Sequence, residues 1–190
     1  MRILVLGGSF NPVHIGHLIL GEELAAEFGY DRVLLVPARV PPHKELRDDP
    51  GPAHRLAMLE AAVAGDGLFS VDDRELSREG PSYTVDTLRD ILGSCPMDGK
   101  PGLVLGDDLA AGFPSWKDPE AILSMAELVV ARRSGQPLDL AFPHRLAANL
   151  LIPVSSTLVR QRISAGGAWR HLVPAAAAAY ITEHGLYRTA

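Results

Sequence analysis

The sequence predicts an α/β fold in one domain over residues 1–190: a parallel sheet with flanking helices, and a small helical part over 154–190. Three observations predict it. Short apolar runs recur along the chain, Ile3-Leu4-Val5-Leu6 and Val33-Leu34-Leu35-Val36 first among them, without the alternation of a half-solvated strand. A helical pattern, Leu18, Leu20, Leu24, Ala25 and Phe28, separates these two runs and completes a βαβ unit. The 190 residues, 47% hydrophobic and 22% charged, suit one sizeable core.

The first run (3–6) ends at Gly7-Gly8-Ser9-Phe10-Asn11-Pro12-Val13-His14-Ile15-Gly16-His17. This is a strand-to-helix turn, with glycines where the backbone bends or approaches a ligand. His14 and His17 are spaced i, i+3, on one face of the first helical turn. The second run (32–36) opens into Ala38-Arg39-Val40-Pro41-Pro42-His43-Lys44, a stiff loop at the C-terminal end of a strand, where open α/β sheets place ligands. Residues 45–52 are polar and proline-rich. A helix follows over 52–64, with Arg55 in its first turn, where a cation opposes the helix dipole unless an anion is near.

A third strand is expected over 68–71, and a charged, solvated connection over 72–79. Pro81-Ser82-Tyr83-Thr84 leads into a helix over 85–92, with Ser82 and Thr84 as N-cap candidates. A fourth strand, 101–105, ends at Gly106-Asp107-Asp108. Those acids can hold ribose hydroxyls or a metal-bound water, or cap the next helix. Trp116 is either core or a stacking surface. A helix over 119–125 and a fifth strand over 128–131 follow, ending in Arg132-Arg133. Residues 134–147 are poorly defined, and 148–152 reads as a sixth strand. Ser155-Ser156-Thr157 starts a helix through Leu158, Val159 and Ile163, and an alanine-rich helix runs over 174–184 after Pro174.

Composition narrows the function. A formal net charge of −5 argues against a general nucleic-acid binder but leaves room for a local basic pocket. Cys95 is the one cysteine, so neither a disulfide framework nor a cysteine zinc site is expected. No leader pattern or apolar run of about 18 residues is present, and a cytoplasmic, non-membrane protein is expected.

Two helix starts carry the functional signal. At the first, free N–H groups and two imidazoles can donate to phosphate oxygens. At the second, three hydroxyls stand at the helix start with no capping-box acid, and Arg160 and Arg162 follow closely, the wrong end for a cation unless an oxyanion binds there. A triphosphate bridging both starts is the simplest ligand that uses them. No Walker or G-x-G-x-x-G pattern is present.

These residues resemble the nucleotidylyltransferase superfamily, whose H-x-G-H signature is spelled by His14-Ile15-Gly16-His17. Pro41-Pro42-His43-Lys44, Ser82-Tyr83-Thr84, Gly106-Asp107-Asp108, Trp116, Ser155-Ser156-Thr157-Leu158-Val159-Arg160 and the closing Gly185-Leu186-Tyr187 are similar to bacterial nicotinate-nucleotide adenylyltransferases, in the same order. The resemblance implies a Rossmann-like fold and transfer of AMP from ATP to nicotinate mononucleotide, giving deamido-NAD and pyrophosphate. Mg²⁺ is implied too, held mainly by phosphates and water. Catalytic roles fall to His14, His17, Lys44 and Arg160. The ATP site adds Gly8, Ser9, Phe10, Gly106, Asp108, Ser156 and Thr157. The mononucleotide site takes Gly8, Ser9, His43, Lys44, Tyr83, Thr84, Trp116 and Arg133. No protein metal ligand is expected, and a homodimer is left open.

Arg39 stands where many relatives carry an amide, so it either replaces that contact or faces solvent. The competing readings are a sister transferase using nicotinamide mononucleotide or phosphopantetheine, and a nucleotide sensor without turnover. A class I aminoacyl-tRNA synthetase is set aside: the chain is short and acidic and lacks a Lys-Met-Ser-Lys-Ser stretch.

Overall fold

The computed structural model describes residues 1–42, 45–133 and 139–188. Among them, β1 (Ile3–Gly8), β2 (Arg32–Pro37), β3 (Phe69–Val71), β4 (Gly102–Gly106), β5 (Glu127–Ala131) and β6 (Arg145–Leu146) form one all-parallel sheet. The order across it is β3-β2-β1-β4-β5-β6, the Rossmann-like arrangement. The helices are α1 (Ile15–Phe28), α2 (Pro52–Val63), α3 (Arg74–Ser77), α4 (Thr84–Ser94), α5 (Asp107–Ala110), α6 (Pro119–Met125), α7 (Ser156–Ser164) and α8 (Ala175–Glu183).

Both faces of the sheet are covered, which is why its strands read as continuous apolar runs. Leu4 and Leu6 of β1, with Val33 and Leu35 of β2, face a core shared with α1, α2, α7 and α8. Ile3, Val5, Leu34 and Val36 face the other core, shared with α4 and α6. Gly21 lets α1 lie close on the sheet, since a Cβ there would come within 2.7 Å of the Phe69 ring. Consecutive strands run outward from β1 on one side and from β4 on the other. The crevice between the C-terminal ends of β1 and β4 is therefore the switch point where such folds take ligands.

Three expectations need correction. Residues 148–152 are not a strand; β6 is Arg145–Leu146. The Asn149 side chain instead accepts from Arg132 N–H at 2.8 Å and donates to its carbonyl at 3.0 Å. Glu27 and Glu23 of α1 accept from the N–H groups of Ala148 and Leu150, so side chains replace the ladder there. The 72–79 connection is not merely solvated: it contains α3, and Glu75 is buried. Finally, neither Ser82 nor Thr84 caps α4, whose N-cap is Tyr83; the Ser82 hydroxyl accepts from Arg39 N–H at 3.0 Å. Arg39 itself reaches the Leu76 and Arg78 carbonyls at the end of α3.

Burial raises the Glu75 carboxyl above its ordinary value; the Thr87 and Ser82 hydroxyls and Arg78 pull it back, and Asp72 adds to the rise. The folded state thus holds this proton more tightly than the unfolded chain. Its stabilising effect is present below the unfolded value and is lost as pH rises through the folded value. Glu75→Gln removes that dependence. The melting temperature of the variant relative to the natural protein is expected to shift upward between about pH 4 and pH 7. Parallel melting curves at both pH values would contradict this.

Candidate active site

The turn between β1 and α1 forms the floor of the crevice. Phe10 takes φ 44, the Asn11–Pro12 peptide is cis, and α1 starts after His14. His14 N–H donates to His17 Nδ1 at 3.1 Å. That bond assigns the ring proton of His17 to Nε2, leaving Nε2–H as a donor. The two imidazoles stack with centroids 3.7 Å apart, and the buried Phe10 ring packs on His17 at 4.9 Å. Phe10 thus supports His17 through its buried ring.

Irregular backbone at this depth needs partners for its carbonyls, and side chains from distant elements supply them. Arg55 Nη1 donates to Ser9 O, Arg160 Nη1 to Asn11 O and Ser156 Oγ to Pro12 O, each at 2.8 Å. In a trans peptide the N–H opposes the C=O. With the Ser9 carbonyl held by Arg55, Phe10 N–H therefore points the other way; Val13 N–H stands in the same relation to the Pro12 carbonyl and Ser156. The braces leave the donors of the turn on the opposite side.

Arg55 is fully buried, and the anion the sequence asked for is Asp49 at 3.0 Å. Arg55 also donates to Ala38 O at 2.7 Å, which ties the loop after β2 to the turn. Ser156 and Arg160 were expected as phosphate ligands. Here the Ser156 hydroxyl is engaged with Pro12, and Arg160 is 8% exposed, bonded to Asn11, with Nε 3.5 Å from Asp48. Neither of those bonds uses Arg160 Nη2. Ser155 caps α7 by accepting from Leu158 N–H at 3.1 Å, and Thr157 is exposed in its first turn. The Ser156–Pro12 bond brings the two helix starts into direct contact.

At the end of β4, Asp108 and Arg133 pair at 3.1 Å, both about half exposed. A Cβ on Gly106 would stand 2.3 Å from Asp108 Oδ1 and 2.8 Å from Arg133 Cδ. Glycine is what allows this pair to close over the strand end. Asp107 is buried, and both acids stand in the first turn of α5, whose N-cap is Gly106.

A third group lies at the start of α4. Lys117 Nζ sits 4.5 Å above the Tyr83 ring and pairs with Asp86 at 2.8 Å. This brings the segment after Trp116 beside Tyr83 and Thr84. The Lys117 hydrogen bond holds the Asp86 carboxyl below its ordinary value. Trp116 is half-buried and tilted against Phe113, with centroids 5.6 Å apart. His43 and Lys44 lie outside the described residues. Sequence reasoning missed Asn11 as a hub; its side chain is 2% exposed, and its partners Arg47 and Tyr187 lie 36 and 176 positions away.

Comparison with known proteins adds to this geometry. The cytidylyltransferase-like family profile matches residues 5–162. The probable nicotinate-nucleotide adenylyltransferase of Salinibacter ruber is 40% identical over 193 residues, covering 99% of this chain and 98% of that protein. The protein of the same name from Borreliella burgdorferi is 39% identical over 188 residues, covering 98% and 97%. The fold is shared with a solved structure of Plasmodium falciparum nicotinic acid mononucleotide adenylyltransferase complexed with NaAD. That match has a TM-score of 0.74 at 20% identity and covers 98% of this chain and 97% of that one.

Arg55→Met would leave Asp49 without its partner and strand the Ser9 and Ala38 carbonyls. A loss of about 3–5 kcal/mol in unfolding free energy is expected, the cost of breaking a buried charge pair. Urea unfolding measures it; a loss under about 1 kcal/mol, the worth of one ordinary hydrogen bond, would contradict the bracing role.

Proposed function

This chain belongs to the cytidylyltransferase-like family, among its nicotinate-nucleotide adenylyltransferases, and we propose the following course for its reaction. It transfers the adenylyl group of ATP to nicotinate mononucleotide, forming deamido-NAD and pyrophosphate in NAD biosynthesis. An oxygen of the mononucleotide phosphate attacks the α-phosphorus in line. The new P–O bond forms as the bond from the α-phosphorus to its bridging oxygen breaks, and pyrophosphate leaves with the electron pair. No enzyme nucleophile takes part.

The observation that carries this reading is the contact of two helix starts at the switch point, with an imidazole donor at one and an arginine at the other. Such chemistry asks for positioning and charge stabilisation rather than covalent help. His17 Nε2–H donates to the phosphates as charge develops on the leaving group, and His14 shares the anion. Arg160 offers Nη2, and Thr157 and the α7 N–H groups receive the outer phosphates. Gly106 and Asp108 hold the adenosine ribose. Tyr83 and Thr84 receive the nicotinate carboxylate, Trp116 stacks on the pyridine ring, and Arg133 faces the mononucleotide phosphate. Lys44 and His43, outside the described residues, are assigned to the phosphates by the resemblance of Pro41-Pro42-His43-Lys44 alone. Imidazole and guanidinium offer a hard cation no oxygen, so Mg²⁺ would enter on ATP, held mainly by phosphate and water. The same reading places the chain in the cytoplasm; among the described residues no helix is long and apolar enough to cross a membrane.

Pyrophosphate release with ATP and Mg²⁺, run in parallel with nicotinate and nicotinamide mononucleotides, tests the substrate. Turnover with the acid and little with the amide is expected; equal turnover would overturn the carboxylate pocket at Thr84. His17→Ala should lower kcat by about 10²–10³-fold, as loss of one well-placed donor does, with little change in melting temperature. Near-normal turnover would remove His17 from the phosphates.

A further inference from the structure

The C-terminal end of the chain reaches back to the turn before α1. Beyond α8, Tyr187 adopts φ 62, a left-handed conformation that residues with side chains rarely take. Its hydroxyl donates to Asn11 Oδ1 at 2.8 Å, across 176 positions of sequence. Asn11 Nδ2 then donates to the Arg47 carbonyl at 3.0 Å, and Asn11 O accepts from Arg160. Because the Arg47 carbonyl can only accept, the amide has one orientation, Nδ2 toward the loop after β2 and Oδ1 toward the tail, and the phenol is left to donate. Burial, with Asp49 adding and Arg160 and Arg55 opposing, raises the phenol far above its ordinary value, so it remains a donor.

The tail does not need this hydroxyl to fold. Ala177, Ala178 and Ile181 anchor α8 in the core beside α2, and the His54 ring meets Tyr180 OH at 3.0 Å. What the hydroxyl reaches is the turn. A strained backbone held against a buried amide next to His14 is the kind of outlier that marks a functional constraint. We propose that Tyr187 is a positioning residue for adenylyl transfer: through Asn11 it fixes the turn that sets His14 and His17 against the phosphates. The inference rests on the function proposed above.

Kinetics of Tyr187→Phe, Asn11→Ala and the double variant test it, with pyrophosphate release at varied ATP and nicotinate mononucleotide. Tyr187→Phe should lower kcat by about tenfold with both KM values within about twofold, the signature of an interaction felt in the transition state. Its melting temperature should stay within about 3 °C, and in the Asn11→Ala background it should lower kcat by less than about twofold more, since both changes cut one path. An unchanged kcat, a rise in KM alone, losses that multiply in the double variant, or a kcat loss that tracks melting temperature would each overturn the proposal. If Asn11→Ala does not fold, Tyr187→Phe alone decides through its kcat, KM and melting temperature. The natural protein is the control: no turnover there would fail the proposed function, while normal turnover in both it and Tyr187→Phe would fail only this inference.

Discussion

The structure depends on a constraint of backbone hydrogen bonding. A ligand-facing turn cannot satisfy its own carbonyls, because neither helix nor ladder passes through it, and buried carbonyls left unpaired are costly. Here Arg55, Arg160 and Ser156 supply the partners from α2 and α7. The turn therefore takes this form only when these helices are docked on β1, which ties the candidate site to completion of the fold. It also explains why fully buried Arg55 is tolerated: its charge meets Asp49, and its remaining donors are spent on main-chain oxygens.

Most of the fold was legible in the sequence because it follows from burial. The runs 3–6, 33–36 and 128–131 are apolar on consecutive positions since both sheet faces are covered, and the observed strands match them within two residues at each end. The misreading at 148–152 has a different origin. An apolar run looks the same whether its N–H groups meet a neighbouring strand or the carboxylates of Glu23 and Glu27, some 120 positions away. Likewise Glu75 looked solvated because the hydroxyls of Thr87 and Ser82 that make its burial tolerable come from another segment.

The meeting of the two helix starts in the candidate site was legible for a related reason. Cations and hydroxyls at helix starts conflict with local preference, and such conflicts point to function or to a distant partner. Arg55 turned out to have the distant partner. Arg160 has one as well, in the Asn11 carbonyl, and still keeps Nη2 out of that bond. The two could not be told apart in the sequence because each guanidinium finds its partners outside its own helix. The Asp108–Arg133 pair was hidden in the same way: the ends of β4 and β5 become neighbours only through sheet register.

Phosphate chemistry suits this construction. In the proposed reaction the groups that would meet developing charge, His17 and Arg160, are fixed by bonds to backbone, so little reorganisation would remain for the moment of reaction. The central claim is that the contacting starts of α1 and α7 form one phosphate clamp. A crystal structure with a non-hydrolysable ATP analogue and Mg²⁺ tests it directly. The β- and γ-phosphates are expected between His17 Nε2 and the first turn of α7, with Arg160 Nη2 on a phosphate oxygen. A triphosphate lying along the Asp108–Arg133 edge, with the α7 start untouched, would contradict the clamp.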